Sequence, residues 1–278
     1  MQLHHVLIDT FDAKGLVYKI SELFFRHNLN IQSNSEYVDR EHNKFFMRSE
    51  IAGEINPKLL HEELQLLLGE KANIRIFSPL KKRIVLLVTK ESHCLGDILI
   101  RYEAGELNAQ ILGVISNYET LKPLVDKFDI PFIHIGHENL SREAHESAII
   151  SAIQKMGEVD YIVLAKYMRI LTSVFVETFP EKILNIHHSF LPAFVGANPY
   201  KQAFERGVKI IGATAHFVNN HLDEGPIITQ NIINVDHSYS WKEMQHSGRD
   251  VEKIVLSSAL KLVIENRVFV HANKTVIL

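Results

Sequence analysis

The feature that most restricts the fold is a rhythm that begins after residue 82. Short, nearly continuous apolar runs recur there: "RIVLLVT" at 83–89, "AQILGVIS" at 109–116, "IPFIHIG" at 130–136, "VDYIVLAKY" at 159–167 and "KILNIH" at 182–187. Helical patterns separate most of them, such as "SREAHESAIISAIQKMG" at 141–157. Short runs without polar alternation are strands buried on both faces. Joined by helices, such strands build a mostly parallel, doubly wound α/β sheet. "KIIGATAHFVN" and "PIITQNIINV" stand too close together for a helical crossover and predict an antiparallel addition. A long amphipathic helix over "DVEKIVLSSALKLVIENRV" and a strand pair around "HANK" complete the pattern.

The first eighty residues follow a different plan. "HHVLIDT" reads as a strand, and "GLVYKISELFFRHN" places Leu16, Ile20, Leu23 and Phe24 at helical spacing. Two strands follow, "NIQSNSEYVD" and "KFFMRSEIAG", with the polar turn "REHN" between them. Asn56-Pro57 then opens a helix with a leucine stripe, and "NIRIFS" closes the set. The order βαββαβ predicts a ferredoxin-like α+β domain. "SPLKK" at 78–82 is a short polar junction. The expected domains are therefore 1–80 and 83–278.

Composition narrows the functional classes. A net charge of −3 supplies no large basic field, so no nucleic-acid partner is expected. Cys94 is the one cysteine, which rules out an intrachain disulfide and a Cys-rich zinc site. The N-terminus lacks a signal-peptide pattern, and no stretch approaches the ~20 apolar residues needed to span a bilayer. A cytoplasmic protein without a membrane partner is expected.

Strand alternation then sorts the residues of "KILNIHHSF". Ile183, Asn185 and His187 share one face, while Leu184 and Ile186 point to the other. His188 faces away from His187 or sits in the turn, so the histidine doublet makes a poor joint metal site and no metal is expected. A zinc site built from His187, His188 and Asp223 is the alternative. Asn185 and His187 stand at the carboxyl end of a sheet strand, where open α/β sheets place ligands. An amide N–H can hold an oxyanion, and an imidazole can move a proton near neutrality. Asp223 in "NNHLDEGPI" could orient that imidazole or a water, although a carboxylate beside Gly225-Pro226 could also be a turn residue. The plain alternative for His187 is a packed structural histidine.

"LAKYMRIL", "NIHHSFLPAFVGANPYKQAFERGVKIIGATAHFV" and "LDEGPII" resemble the folate-dependent formyltransferase family over about residues 83–278. The resemblance implies that Asn185, His187 and Asp223 are the catalytic trio. It further implies that Met168, Arg169, Leu171, Val218 and Asn220 surround a folate head group. The family's transformylases cradle a phosphorylated acceptor in a Gly-rich loop after the first strand. This chain has "TKESHCLGDIL" there, with Gly96 alone, so that backbone cradle is missing. His93 in the same stretch could fill acceptor space, and Cys94 reads as a small buried side chain. A methionyl-tRNA formyltransferase would carry an added RNA-binding module after the core, and none is expected here.

"DTFDAKGLVYKISELFFRHNLNI" in turn looks like an ACT domain. That likeness implies either a dimerisation platform or an amino-acid effector site near Asp12 and Gly15, in a homo-oligomer, a dimer or tetramer. The combination implies hydrolysis of 10-formyltetrahydrofolate by water to tetrahydrofolate and formate, within one-carbon and purine metabolism, without a further cofactor. The alternatives are formyl transfer to a small unphosphorylated amine and a folate sensor that no longer turns over.

Overall fold

A computed structural model describes residues 2–193 and 199–278. The chain forms two compact units, one of residues 1–80, 266–271 and 276–278, the other of residues 81–265 and 272–275. Residues 266–271 thus join the first unit although they follow the second in the chain.

In the first unit the order is β1 (Leu3–Phe11), α1 (Leu16–Arg26), β2 (Asn30–Asp39), β3 (Lys44–Ala52), α2 (Pro57–Leu68) and β4 (Asn73–Phe77). The sheet runs β2-β3-β1-β4, and each neighbouring pair is antiparallel. The two helix-linked strands of each half are therefore split by a strand from the other half. Leu16, Ile20, Leu23 and Phe24 recur at three- and four-residue intervals on α1 and are all buried. They share one core with Leu60 and Leu64 of α2 and with Val6 and Ile8 of β1. Asn56 starts α2 by accepting the Lys58 and Leu59 amide hydrogens, a cap that contributes about 1 kcal/mol. Late residues complete this unit. The Phe269 ring meets Phe46 edge-on at 5.5 Å, and Arg48 Nε donates to the Asn266 carbonyl at 3.0 Å.

The second unit contains β5 (Lys82–Val88), α3 (His93–Glu103), β6 (Ala109–Ser116), α4 (Lys122–Val125), β7 (Phe132–His134), α5 (Arg142–Lys155) and β8 (Tyr161–Leu164). It continues through α6 (Ser173–Thr178), β9 (Ile183–His187), α7 (Pro199–Glu205), β10 (Ile210–Phe217), β11 (Ile227–Asn234) and α8 (Trp241–Ile264). The chain ends in the hairpin β12 (Val268–His271) and β13 (Lys274–Ile277). The seven-stranded sheet is ordered β11-β10-β9-β8-β5-β6-β7. Strands β5 to β9 pair in parallel, whereas β10 and β11 run antiparallel. Residues Ile84 to Val88 of β5 are completely buried, as a strand covered on both faces must be. Val85, Leu87 and Ile162 pack with Ile149 and Ile153 of α5 and with Phe175 of α6. Burying each such side chain stabilises the fold by about 1.5–3 kcal/mol.

Helix α8 begins well before the amphipathic stretch starting at residue 250. Ser240 accepts from the Glu243 amide while the Glu243 carboxylate accepts from the Ser240 amide, a reciprocal cap. Gln245, His246, Ser247 and Gly248 interrupt the apolar stripe and hide that first part from periodicity. The topology also fixes where a ligand can lie. From β5 the chain moves to β6 on one side and later crosses to β8 on the other, so the carboxyl ends of β5 and β8 border a crevice.

Candidate active site

Strand β9 carries Asn185 and His187, and its antiparallel register with β10 sets His216 opposite Asn185. His216 Nδ1 lies 2.8 Å from the Phe217 carbonyl oxygen, which can only accept, so that nitrogen carries the proton. Its Nε2 is left as an acceptor for the Asn185 Nδ2 group at 3.2 Å. Burial lowers the pKa of His216 and keeps it neutral for this role. One amide hydrogen of Asn185 is thereby committed to His216, which fixes the plane of the amide.

Asp223 reaches the same place from the loop between β10 and β11. Its backbone is left-handed, with φ 58°, a conformation that Asp tolerates better than most residues. Gly225 makes the loop possible: a Cβ there would stand 1.7 Å from the Phe217 carbonyl oxygen. Asp223 Oδ1 lies 3.2 Å from His187 Nδ1 and 3.9 Å from His216 Nε2. His216 therefore serves Asn185 more directly than Asp223. Burial pushes the Asp223 carboxyl upward, but the hydrogen bond and charge of His187 outweigh it and leave the group below the usual range. His187 Nε2 is buried with no hydrogen-bond partner among the described residues.

These groups line a cavity of about 740 Å³, together with Met168, Arg169, Leu171, Val218 and Asn220. The loop after β8 is held from below. Thr89 Oγ1 donates to the Lys166 carbonyl at 2.7 Å, and buried Glu146 of α5 accepts from both the amide and the hydroxyl of Thr172. Asn220 Nδ2 donates to Glu177 Oε1 at 3.2 Å on the exposed side. His188 sits just past β9 and lines this cavity; the turn placement holds and the opposite-face placement does not. Its ring is 5.3 Å from that of His187, and burial with the nearby Lys166 ammonium depresses its pKa to about 3. Asp12 and Gly15 belong to the first unit, at the turn from β1 to α1. The Asp12 amide donates to the Asn43 carbonyl, and Gly15 supplies φ 86° at the helix start.

A second polar group in the cavity is not apparent from local sequence pattern. Glu252 of α8 is 1 % exposed and Lys166 4 %. Glu252 Oε2 accepts from Lys166 Nζ at 3.1 Å and contacts His93 Nε2 at 2.8 Å, while Oε1 accepts from the Tyr200 hydroxyl at 2.6 Å. Burial raises the Glu252 carboxyl, but these three partners outweigh it and bring it down to about 2. The available signal was a carboxylate set among Val251, Val255 and Leu256 on an apolar helix stripe. Cys94 is buried, and burial with the Glu252 charge holds its thiol well above the ordinary value.

The fold and the cavity define a class of protein: residues 82–260 match the Formyl transferase family. The chain is 54 % identical over 273 residues to the formyltetrahydrofolate deformylase of Haemophilus influenzae, covering 98 % of each. It is 53 % identical over 268 residues to that of Escherichia coli strain K12, covering 96 % of this chain and 95 % of the relative. The crystal structure of a formyltetrahydrofolate deformylase from Pseudomonas syringae superposes with a TM-score of 0.96 at 40 % identity, covering 100 % of this chain and 95 % of the other. The chain belongs to the formyltetrahydrofolate deformylase family.

Proposed function

We propose that the protein hydrolyses 10-formyltetrahydrofolate to tetrahydrofolate and formate. The observation that carries this reading is the pairing of His187 with Asp223 at 3.2 Å beside Asn185, in a cavity at the carboxyl ends of the strands. The formyl oxygen lies between the second amide hydrogen of Asn185 and His187 Nε2. In the imidazolium form His187 donates to Asp223 through Nδ1 and to the developing oxyanion through Nε2, so no donor must reorganise during reaction. Asp223 orients the attacking water and takes its proton. The water oxygen bonds to the formyl carbon, the bond from that carbon to N10 breaks, and the proton passes to the departing nitrogen. Met168, Arg169, Leu171, Val218 and Asn220 form the walls against which the folate head group packs.

The test is direct: the protein is incubated with 10-formyltetrahydrofolate in an amine-free buffer and free formate is measured. Formate at the rate of tetrahydrofolate production supports hydrolysis. Tetrahydrofolate that forms only when a small amine is added, with the formyl group recovered on the amine, replaces this reading by the transferase.

The first unit is proposed to be an ACT-like module that joins protomers and binds an amino acid at the turn containing Asp12 and Gly15. Its strand order and the fusion to a formyl-transfer core support that assignment. Calorimetry of the whole chain with the common amino acids, followed by light scattering for the oligomer, tests both parts.

A further inference from the structure

Glu252 is held the way an anionic ligand is held. An ammonium, an imidazole and a phenol from three separate elements converge on its carboxylate: Lys166 at 3.1 Å, His93 at 2.8 Å and Tyr200 at 2.6 Å. Charge-assisted bonds of this length are the contacts a phosphate or carboxylate ligand would make. The arrangement continues outward, where Arg249 Nε lies 3.2 Å and His93 Nδ1 3.6 Å from Glu91 Oε2. Each cationic group of the cluster thus already faces a carboxylate of the chain itself. Glu252, Lys166, Tyr200, Glu91 and Arg249 all line the cavity that contains Asn185, His187 and Asp223.

A buried carboxylate surrounded by donors is stable only with its partners, and the partners are equally committed to it. An anionic acceptor entering this part of the cavity would meet two carboxylates and no uncommitted cation within the cluster. Water requires no such cation. Resting on the hydrolytic reading above, we infer that Glu252 is a specificity-determining residue: a built-in anion that occupies the convergent donors of Lys166, His93 and Tyr200 and closes this end of the cavity to phosphorylated acceptors. The reaction is thereby restricted to water by an internal ion cluster as well as by the missing glycines after β5.

Removal of the carboxylate should uncover an anion site. The test uses inorganic phosphate as the probe, with chloride at matched ionic strength as the control, on the full chain. Phosphate is expected to raise the melting temperature of Glu252→Ala and to bind it in calorimetry at least about tenfold more tightly than wild type, since one charge-assisted bond gained corresponds to that ratio. Adding Lys166→Met should abolish the gain. A general structural role for Glu252 would lower stability without creating phosphate affinity, so a folded Glu252→Ala that ignores phosphate overturns the inference. Should that variant not fold, wild type decides: saturable phosphate binding competing with the folate substrate also overturns it. Because the readout is anion binding, it is independent of the formate assay that tests the hydrolytic reading.

Discussion

The ring of Tyr200 occupies the space that a side chain at position 248 would need: a Cβ on Gly248 would stand 2.2 Å from the Tyr200 hydroxyl oxygen. Gly248 lies one helical turn before Glu252, so the gap in the surface of α8 is what lets Tyr200 reach the carboxylate. Alanine is favoured over glycine within a helix by about 1 kcal/mol. Here overpacking, at about 1–3 kcal/mol, and the loss of a buried charged hydrogen bond should outweigh that gain. Gly248→Ala is expected to melt several degrees below wild type in a calorimetric scan. A higher melting temperature would contradict the packing described.

The trio should behave as a unit in which each member matters more to rate than to stability. Removing one preorganised oxyanion donor costs roughly 100- to 1,000-fold in rate. Asn185→Ala and His187→Ala are each expected to lower the turnover number by that order, with circular dichroism unchanged. Asp223→Asn should fall at least as far, because it removes the charge that faces His187 at 3.2 Å and, in the proposed mechanism, the proton acceptor. Near-normal formate release in any of the three would remove that residue from the mechanism.

Glu252 should leave a signature in acid. Its folded pKa of about 2 lies below the ordinary 4.5. A depressed carboxyl contributes stability that is present above the unfolded value and lost as pH falls through the folded one. The contribution is on the order of 3 kcal/mol. Wild type is expected to lose stability to urea between about pH 4.5 and 2, and Glu252→Gln to start lower and show a flatter curve over that window. Parallel curves would refute the linkage.

His188 should remain a neutral imidazole throughout the working range. Its pKa of about 3 results from burial and the Lys166 ammonium, against the ordinary 6.5. Its burial as a neutral ring therefore favours the folded state fully above pH 6.5, an advantage lost as pH falls toward 3. In an NMR titration of labelled histidines, the His188 ring signals should stay fixed from about pH 8 to 5. A His188 midpoint near 6.5 would show that the ring is solvated.

Much of this architecture is legible in local pattern because the forces are local. Continuous apolar runs identify β5 to β9, since a strand covered on both faces has no polar side to show. Alternation on β9 places Asn185 and His187 on one face, and the structure sets both at the cavity. Other features depend on long-range contacts that periodicity does not carry. The Asn185 contact with His216 needs the β9–β10 register, and the convergence on Glu252 joins α3, the loop after β8, α7 and α8. His188 lies one residue beyond the strand, where alternation no longer applies. The early start of α8 rests on the Ser240 and Glu243 cap rather than on an apolar stripe.

The late residues of the first unit have a consequence for how the chain comes to be folded. Besides its ion pair with Glu50 on the same strand, Arg48 donates to the Asn266 carbonyl, 218 positions later, and Phe46 meets Phe269. Synthesis on the ribosome proceeds from the N-terminus at about 5–20 residues per second. The four strands of the first unit can pair early, but residues 266–271 can be added beside Phe46 and Arg48 only after most of the second unit has emerged. Assembly is therefore finished in reverse order: the part made first is sealed last.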